Sequence, residues 1–149
     1  MTGGCKRMHI RESTDEDAAA VAVLIAQLGY PTRAEEMRSR LRRIAADAQY
    51  VSLVALEHTE VVGFLGMAFG LHYEYDGSYA RIVALSVAPQ MQGKGIGTEL
   101  VAAAENIARS RGASMCIVNS GTHRTETHKF YEKRGFSWRS KGFYKPLAG

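Results

Sequence analysis

The feature that most constrains this chain is an apolar strand that leads through a short turn into a glycine-rich loop and a helix. The segment extends from Ala80 to Thr98, and its loop is QGKGIG, Gln92 to Gly97. Glycine reaches backbone conformations closed to other residues and lets a ligand approach the main chain. A helix that begins there directs unpaired N–H groups and its dipole at a bound anion. The pattern predicts a phosphate-bearing small molecule at this point, although a tight turn alone also requires glycine.

Two nucleotide-binding loops are excluded by their spacing. A P-loop has Ser or Thr after its lysine, whereas Lys94 is followed by Gly95. A dinucleotide-binding fingerprint reads G-x-G-x-x-G, and Gly97 comes one position too early to complete it. The loop therefore predicts a phosphate ligand of another kind.

Length and composition predict one globular domain over residues 1–149. The chain is 46% apolar and 23% charged, and its net charge of +4 suits an anionic ligand. Its longest apolar stretch, Ala18 to Leu28, is too short to cross a bilayer, so no membrane partner is expected. The first residues lack the apolar core of a secretory signal, and Cys5 and Cys116 match neither a disulfide framework nor a zinc site. Together these features favour a cytoplasmic protein.

Hydrophobic periodicity and turn residues predict a mixed sheet with helices on both faces. Strands are predicted at Lys6–Arg11, Tyr50–Glu57, Glu60–Leu71, Tyr79–Val87, Ser114–Val118, Phe136–Trp138 and Gly142–Lys145. Helices are predicted from a Ser13 or Thr14 cap to Gly29, after Thr32, from Ile96 to Arg111, and from Thr125 to Arg134. The order is βαα-βββ-α-β-α-ββ, an α/β (α+β mixed sheet) layer fold.

Three segments together resemble the GCN5-related N-acetyltransferases, the GNAT family. The loop from Gln92 to Gly97 matches the family motif Q/R-x-x-G-x-G/A at every specified position. The segment HKFYEKRGF, His128 to Phe136, resembles the last helix of the family, with its tyrosine and its closing Gly-Phe. The opening residues, Ile10 to Asp17 and Leu28 to Pro31, also resemble the start of the family fold. The resemblance covers nearly the whole chain and implies a GNAT-like acyl-CoA N-acyltransferase fold.

The resemblance implies that acetyl-CoA is the donor and that a primary amine of a small molecule or peptide is the acceptor, with direct transfer in a ternary complex. Backbone N–H groups of the loop would hold the CoA diphosphate, and the preceding strand would pair with the pantetheine arm. A backbone N–H near Leu85 would polarise the thioester carbonyl, and Tyr131 would act as general acid. The residues so implied for cofactor binding are Leu85, Ser86, Val87, Gln92, Gly93, Lys94, Gly95, Ile96, Gly97, Thr98, Asn119, Arg124, Tyr131 and Lys133.

The sequence departs from the family pattern at three places. At Arg124 the family more often has Asn, and at Thr127 it more often has Ala. The strand before the loop carries no carboxylate, although many relatives place a glutamate base there. Glu74 and Asp76 of the preceding loop, or a water chain, are the alternatives for a general base.

Aromatic side chains with polar tips occur in loops that the resemblance places near the acceptor. They suit a small polar amine, and equally an interface in a homodimer. The residues are Tyr30, His72, Tyr73 and Tyr75.

The sequence also bears on three other functions: acyl-CoA binding without catalysis, nucleic-acid binding and metal binding. A non-catalytic acyl-CoA-binding module on the same fold is the alternative to an enzyme, and the absent strand carboxylate favours it. Nucleic acid is not expected as a partner, because the arginine-rich second helix has no interleaved aromatic residues. No metal is expected, because His123 and His128 are five residues apart and do not match the i, i+4 spacing of paired ligands.

Overall fold

The computed structural model describes residues 8–119, 125–137, 139 and 142–147, and within them five strands form one sheet. The strands follow chain order across the sheet, and the first four are antiparallel neighbours whereas the fifth is parallel to the fourth. They are β1 (Met8–Glu12), β2 (Tyr50–Glu57), β3 (Glu60–Leu71), β4 (Ser78–Val87) and β5 (Ala113–Val118). The predicted mixed-sheet fold class is confirmed. Predicted features at Cys5, Lys6, Arg7, His123, Arg124 and Trp138 lie outside the described residues.

Four α-helices accompany the sheet. They are α1 (Ala18–Ala26), α2 (Ala34–Ala45), α3 (Ile96–Ser110) and α4 (Thr125–Lys133). Short 3₁₀ turns precede α1 and α3, at Asp15–Asp17 and Pro89–Met91.

α1 and α3 cover opposite faces of the sheet. Gly63 of β3 faces α3, since a Cβ placed there would lie 3.0 Å from Cγ2 of Ile96. The next residue, Phe64, pairs with Ser86, whose hydroxyl donates to the Leu24 carbonyl of α1 at 2.8 Å. Consecutive strand residues point to opposite faces, so the two helices must lie on different sides. The sheet is therefore sandwiched, and its interior includes the fully buried side chains of Leu65, Met67, Ile82, Leu100, Val21 and Val54.

The entry to α1 is held by the predicted Thr14 cap and by an ion pair. The Thr14 hydroxyl accepts from Glu16 N, and Asp17 Oδ2 accepts from Thr14 N at 2.8 Å, which completes a reciprocal capping box. Nη1 and Nη2 of Arg11 donate to the Asp17 carboxylate, at 2.9 and 3.0 Å. β1 is thereby fixed to the start of the helical layer.

The two closing strands predicted after α4 are the part of the order that differs. Gly135 N–H donates to the Glu132 carbonyl and Phe136 N–H donates to the Tyr131 carbonyl, which is a Schellman cap. Phe136 N–H is thus used by the helix end and is not available to a strand ladder. Residues 136–137, 139 and 142–147 form no strand, and Phe143 is 94% exposed.

Candidate active site

β4 changes its pairing halfway along its length. Residues 78–82 pair with β3 on one side and with β5 on the other. The register against β3 then shifts, which leaves Val83 as an extra residue, a β-bulge. Residues 84–87 pair with β3 alone in the described part of the chain, because β5 ends at Val118. β4 and β5 therefore part after the Ile82–Val118 pair, which leaves one edge of β4 open.

The glycine-rich loop lies directly beyond this open edge. Gly93 and Gly95 have φ values of +82° and +88°, a region that other residues rarely adopt. No atom lies within 4 Å of a Cβ built at either position, so backbone conformation rather than crowding requires glycine there. The Gln92 side chain donates from Nε2 to the Val87 carbonyl at 3.1 Å and fastens the loop to the strand end. That carbonyl therefore already accepts one hydrogen bond, and its second lone pair remains for a ligand.

The first turn of α3 presents three backbone donors. Gly95 is the N-cap, and the first helical hydrogen bond runs from Glu99 N to its carbonyl at 3.0 Å. The N–H groups of Ile96, Gly97 and Thr98 precede that bond and have no acceptor among the described residues. Three donors at a helix N-terminus suit a diphosphate, which offers several anionic oxygens.

Gly97 differs from the other loop glycines because a neighbouring side chain packs closely against it. A Cβ on Gly97 would lie 3.3 Å from Cζ of Phe130, so the missing side chain lets α4 approach the first turn of α3. The loop and α4 are thus adjacent, as the order of the motifs suggests.

An open cleft of about 1470 Å³ connects the loop, the open edge of β4, β5 and α4. Most of the predicted site residues line it. Those residues are Tyr30, Leu85, Ser86, Val87, Gln92, Gly93, Gly95, Ile96, Gly97, Thr98, Asn119 and Tyr131.

Tyr131 lies in this cleft and is only 8% exposed. Its ring makes edge contacts with Phe130 and Phe136, with ring centroids 5.2 and 5.6 Å apart. The Schellman cap explains the second contact, because this cap commonly brings together the residue after the glycine and a residue of the last turn. The closing Gly135-Phe136 pair therefore fixes the position of the tyrosine.

Ser86 is placed differently from Leu85 and Val87. Its side chain is buried and donates to the Leu24 carbonyl on the α1 face of the sheet. Alternation along the strand causes this. The Ser86 backbone groups point at β3, because Ala88 N–H donates to the Val62 carbonyl and every second residue of β4 repeats that orientation. Ser86 therefore presents neither its side chain nor its backbone polar groups to the open edge, and its placement gives the binding role that the resemblance implies no support.

Three of the predicted acceptor residues do not line the cleft. His72, Tyr73 and Tyr75 belong to the hairpin before β4, at the end of that strand remote from the loop. A strand of this length spans about 30 Å, and the His72 ring packs instead on Tyr75 and Tyr79, with both centroid distances 5.2 Å. Their placement gives the acceptor assignment no support. An interface between two copies remains a prediction for this hairpin.

Two predicted carboxylates and two predicted lysines also lie outside the cleft. Glu74 and Asp76 share the remote hairpin, so neither carboxylate lines the cleft. Lys133 is exposed and does not line the cleft either. Lys94 instead lines a smaller hollow between the loop and β1.

Several residues that line the cleft were not predicted from the sequence. Gln27 and Leu28 extend the cleft towards the end of α1. Cys116 of β5 has its pKa raised to about 11, mainly because burial penalises the thiolate and secondarily because Glu105 is near. Arg134 donates to the Thr98 hydroxyl, and its signal in the sequence was a basic residue directly before the Gly135 cap.

The described residues also bear on metals and membranes. Within them, no group of three or more His, Cys, Asp or Glu side chains is arranged to hold a metal ion. No helix in the same part of the chain has the length and apolar character to span a membrane.

The sequence matches the model of the Acetyltransferase (GNAT) family over residues 18–136. An aminoalkylphosphonate N-acetyltransferase of Salmonella typhimurium (strain LT2) is 30% identical over 140 residues, which cover 93% of this chain and 91% of that relative. An uncharacterized N-acetyltransferase of Bacillus subtilis (strain 168) is 28% identical over 137 residues and covers 87% of this chain and 89% of its own length.

Solved structures with a similar fold are also acetyltransferases. A GNAT family acetyltransferase of Staphylococcus aureus has a TM-score of 0.82 and 25% identity over 95% of this chain and 100% of its own. An aminoglycoside N-acetyltransferase solved in complex with CoA has a TM-score of 0.85 over 99% of this chain and 100% of its own, at 16% identity, which shows the shared fold. The chain therefore belongs to the GNAT family of acetyltransferases and is an acyltransferase.

Proposed function

We propose that this chain binds acetyl-CoA between β4 and β5 and transfers the acetyl group directly to a primary amine of a small molecule or peptide. The observation that carries the proposal is the open edge of residues 84–87. It leads to three N–H groups at the start of α3 that have no acceptor in the described part of the chain. An open strand edge suits an extended amide-bearing arm, and the N–H groups suit a diphosphate. Membership of the GNAT family independently implies acetyl-CoA.

The main chain supplies most of the catalysis in this proposal. Holding the thioester and the amine together contributes up to about 7–11 kcal/mol in well-oriented cases. The backbone N–H near Leu85 polarises the thioester carbonyl and stabilises the developing oxyanion, which contributes about 3–4 kcal/mol. Neither contribution depends on a particular side chain.

Tyr131 is the proposed general acid. The neutral amine nitrogen attacks the carbonyl carbon, the amide C–N bond forms and the C–S bond breaks, which leaves a thiolate on CoA. The Tyr131 hydroxyl gives that sulfur a proton and is then reprotonated from solvent. A free thiol has a pKa of about 8.5, so the thiolate already leaves readily, and we expect an effect near the low end of the usual ~10²–10⁴ range.

The proton of the amine is proposed to leave to water. Residues 83–87 of β4 carry no carboxylate, and Glu74 and Asp76 lie away from the cleft. The cleft is open, so water reaches the amine, and an amine that binds already neutral requires no side-chain base.

For the acceptor we propose a small amine, with aminoalkylphosphonates as the first class to test. The Salmonella relative is named for that class and matches this chain over nearly its whole length. The acceptor would enter beside Gln27, Leu28 and Tyr30, which line the cleft at the end of α1. A cytoplasmic location, where acetyl-CoA is available, fits this proposal.

The test is an acceptor screen that follows thiol release from acetyl-CoA, run on the wild type and on Tyr131→Phe. The variant should bind acetyl-CoA like the wild type and transfer acetyl about a hundredfold more slowly. Tyr50→Phe is the matched control, because it removes a hydroxyl at the start of β2, outside the cleft. Equal turnover of the two variants, with chemistry rate-limiting, would remove Tyr131 from the mechanism. CoA binding without turnover of any amine would favour the non-catalytic acyl-CoA-binding module.

A further inference from the structure

Arg134 is held in a single geometry across two helices. Its Nε donates to Thr98 Oγ1 at 3.1 Å, and its Nη2 donates to the same oxygen. Its Nη1 donates to the Phe130 carbonyl at 2.9 Å, and the guanidinium carbon lies 4.0 Å from the centroid of the Phe130 ring. The side chain is half-buried and lines the cleft. A long side chain with so many restraints has already lost its rotamer freedom before any ligand arrives.

The charge of Arg134 lies between two helix ends with opposite effects, because the C-terminus of α4 favours a cation and the N-terminus of α3 disfavours one. No carboxylate pairs with it in the described part of the chain, whereas Arg11, Arg33, Arg42 and Arg109 each have one. It contacts the first turn of α3, where the helix dipole disfavours cations. No carboxylate of the described residues neutralises this cation at the start of α3, and an anionic ligand bound there supplies the missing counter-charge.

The Thr98 hydroxyl is converted into a donor by this contact. A hydroxyl accepts through its oxygen and donates through its single proton, and the Thr98 oxygen accepts from the guanidinium group of Arg134. The proton is left to donate, and no acceptor for it occurs among the described residues. The hydroxyl and the adjacent Thr98 N–H together offer donors at the N-terminus of α3.

We infer that Arg134 completes the diphosphate site of the acyl-CoA ligand, which rests on the proposed function above. Two guanidinium N–H groups, one on each Nη, remain beyond the three bonds already made, and they bind phosphate oxygens. Arg134 also positions Thr98, whose hydroxyl donates to the same ligand. The loop supplies backbone donors, and Arg134 supplies the charge that they lack.

The experiment compares three ligands that differ in their phosphates. CoA contains the diphosphate and the 3′-phosphate, 3′-dephospho-CoA contains the diphosphate alone, and S-acetylpantetheine contains neither. Arg134→Met keeps length and apolar contact but removes the charge and the donors. It should raise the Kd of CoA and of 3′-dephospho-CoA by the same factor, about tenfold to a hundredfold. Its kcat/KM with S-acetylpantetheine should remain within about twofold of the wild type.

Controls separate a ligand contact from a structural one. Arg43→Met removes an exposed arginine of α2 and should change none of the three measurements. Arg134→Lys, which keeps the charge without the planar fork, should give an intermediate Kd. Arg134 acts partly through Thr98. Arg134→Met should therefore raise the Kd of CoA by a smaller factor in a Thr98→Val background than in the wild type.

Three outcomes would overturn the inference. An unchanged Kd for CoA in Arg134→Met would remove the residue from the site. A fall in kcat/KM with S-acetylpantetheine as large as the loss of CoA affinity would show that Arg134 only holds α4 against α3. If Arg134→Met weakens the binding of CoA but not of 3′-dephospho-CoA, Arg134 contacts the 3′-phosphate instead of the diphosphate. If the methionine variant does not fold, wild-type CoA affinity in both Arg134→Lys and Thr98→Val would overturn it. A wild type that does not bind CoA defeats the proposed function instead.

Discussion

The two halves of β4 have different tasks although they belong to one strand. Residues 78–82 are paired on both sides, and Ile82 is 1% exposed. Residues 84–87 are paired on one side, and the bulge residue Val83 is 56% exposed. A single bulge residue marks the boundary between a closed half, which holds the fold, and an open half, which faces the cleft. Stability and ligand binding should therefore respond to different substitutions along the same ten residues.

The largest effect is expected from adjacent substitutions across this boundary. Ile82→Ala should lower the free energy of unfolding by about 2–5 kcal/mol, because it removes buried methyl groups from a closed core. Val83→Ala, one residue later, should change it by no more than about 0.5 kcal/mol, because the side chain is largely in solvent. Urea unfolding at neutral pH measures both. Equal losses in the two variants would show that the bulge does not divide the strand.

A smaller effect should distinguish the two ends of α3. Gly95 before the helix and Gly112 after it have φ values of +88° and +79°, and a Cβ at either would meet no atom within 4 Å. Gly95→Ala and Gly112→Ala should each lose about 1–2 kcal/mol of stability from the left-handed backbone. Gly95→Asp should also raise the Kd of CoA about tenfold or more, because it adds negative charge beside the diphosphate.

The matched variant Gly112→Asp places the same charge at the opposite end of the helix. It should share the loss of stability and leave CoA affinity within about twofold of Gly112→Ala. Calorimetric titration of CoA into all four variants provides the comparison. Undiminished affinity in Gly95→Asp would contradict the assignment of the loop.

Features set by local backbone rules were predictable from the sequence. The loop glycines require left-handed φ values, the Thr14 cap follows from its side chain, and the Gly135-Phe136 pair forms a helix cap. Each of these depends on residues within one turn of each other. Their order along the chain was sufficient to indicate the family and the position of the cleft.

Features set by side-chain direction were not predictable in the same way. Ser86 faces α1 because of strand alternation, and the tyrosines of the hairpin lie at the far end of β4 because of strand length. The Arg134 contact joins residues 36 apart in sequence and depends on how closely α4 approaches Gly97. Spacing alone does not encode such an approach.

The smallest effect concerns the ion pair of Arg11 and Asp17 at the entry to α1, outside the cleft. Hydrogen bonds from Arg11 lower the pKa of Asp17 from its ordinary value of 3.8, with a further contribution from the Thr14 N–H, against burial, which raises it. The ionised carboxylate therefore stabilises the fold fully above pH 3.8, and this contribution is lost as pH falls through the lowered pKa. Asp17→Asn keeps an acceptor for Thr14 N–H and removes the charge. It should therefore lower the free energy of unfolding by about 1 kcal/mol at pH 7.

The difference in unfolding free energy between the wild type and Asp17→Asn should shrink as the pH is lowered below 3.8, because the wild-type carboxyl then becomes protonated. Urea unfolding at a series of pH values measures that difference. CoA affinity at pH 7 should be the same in both proteins, because Asp17 lies on the α1 side of the fold and outside the cleft. A pH-independent difference would mean that the Arg11 pair contributes nothing electrostatic. A change in CoA affinity would mean that the Arg11–Asp17 ion pair and the open edge of β4 are energetically coupled.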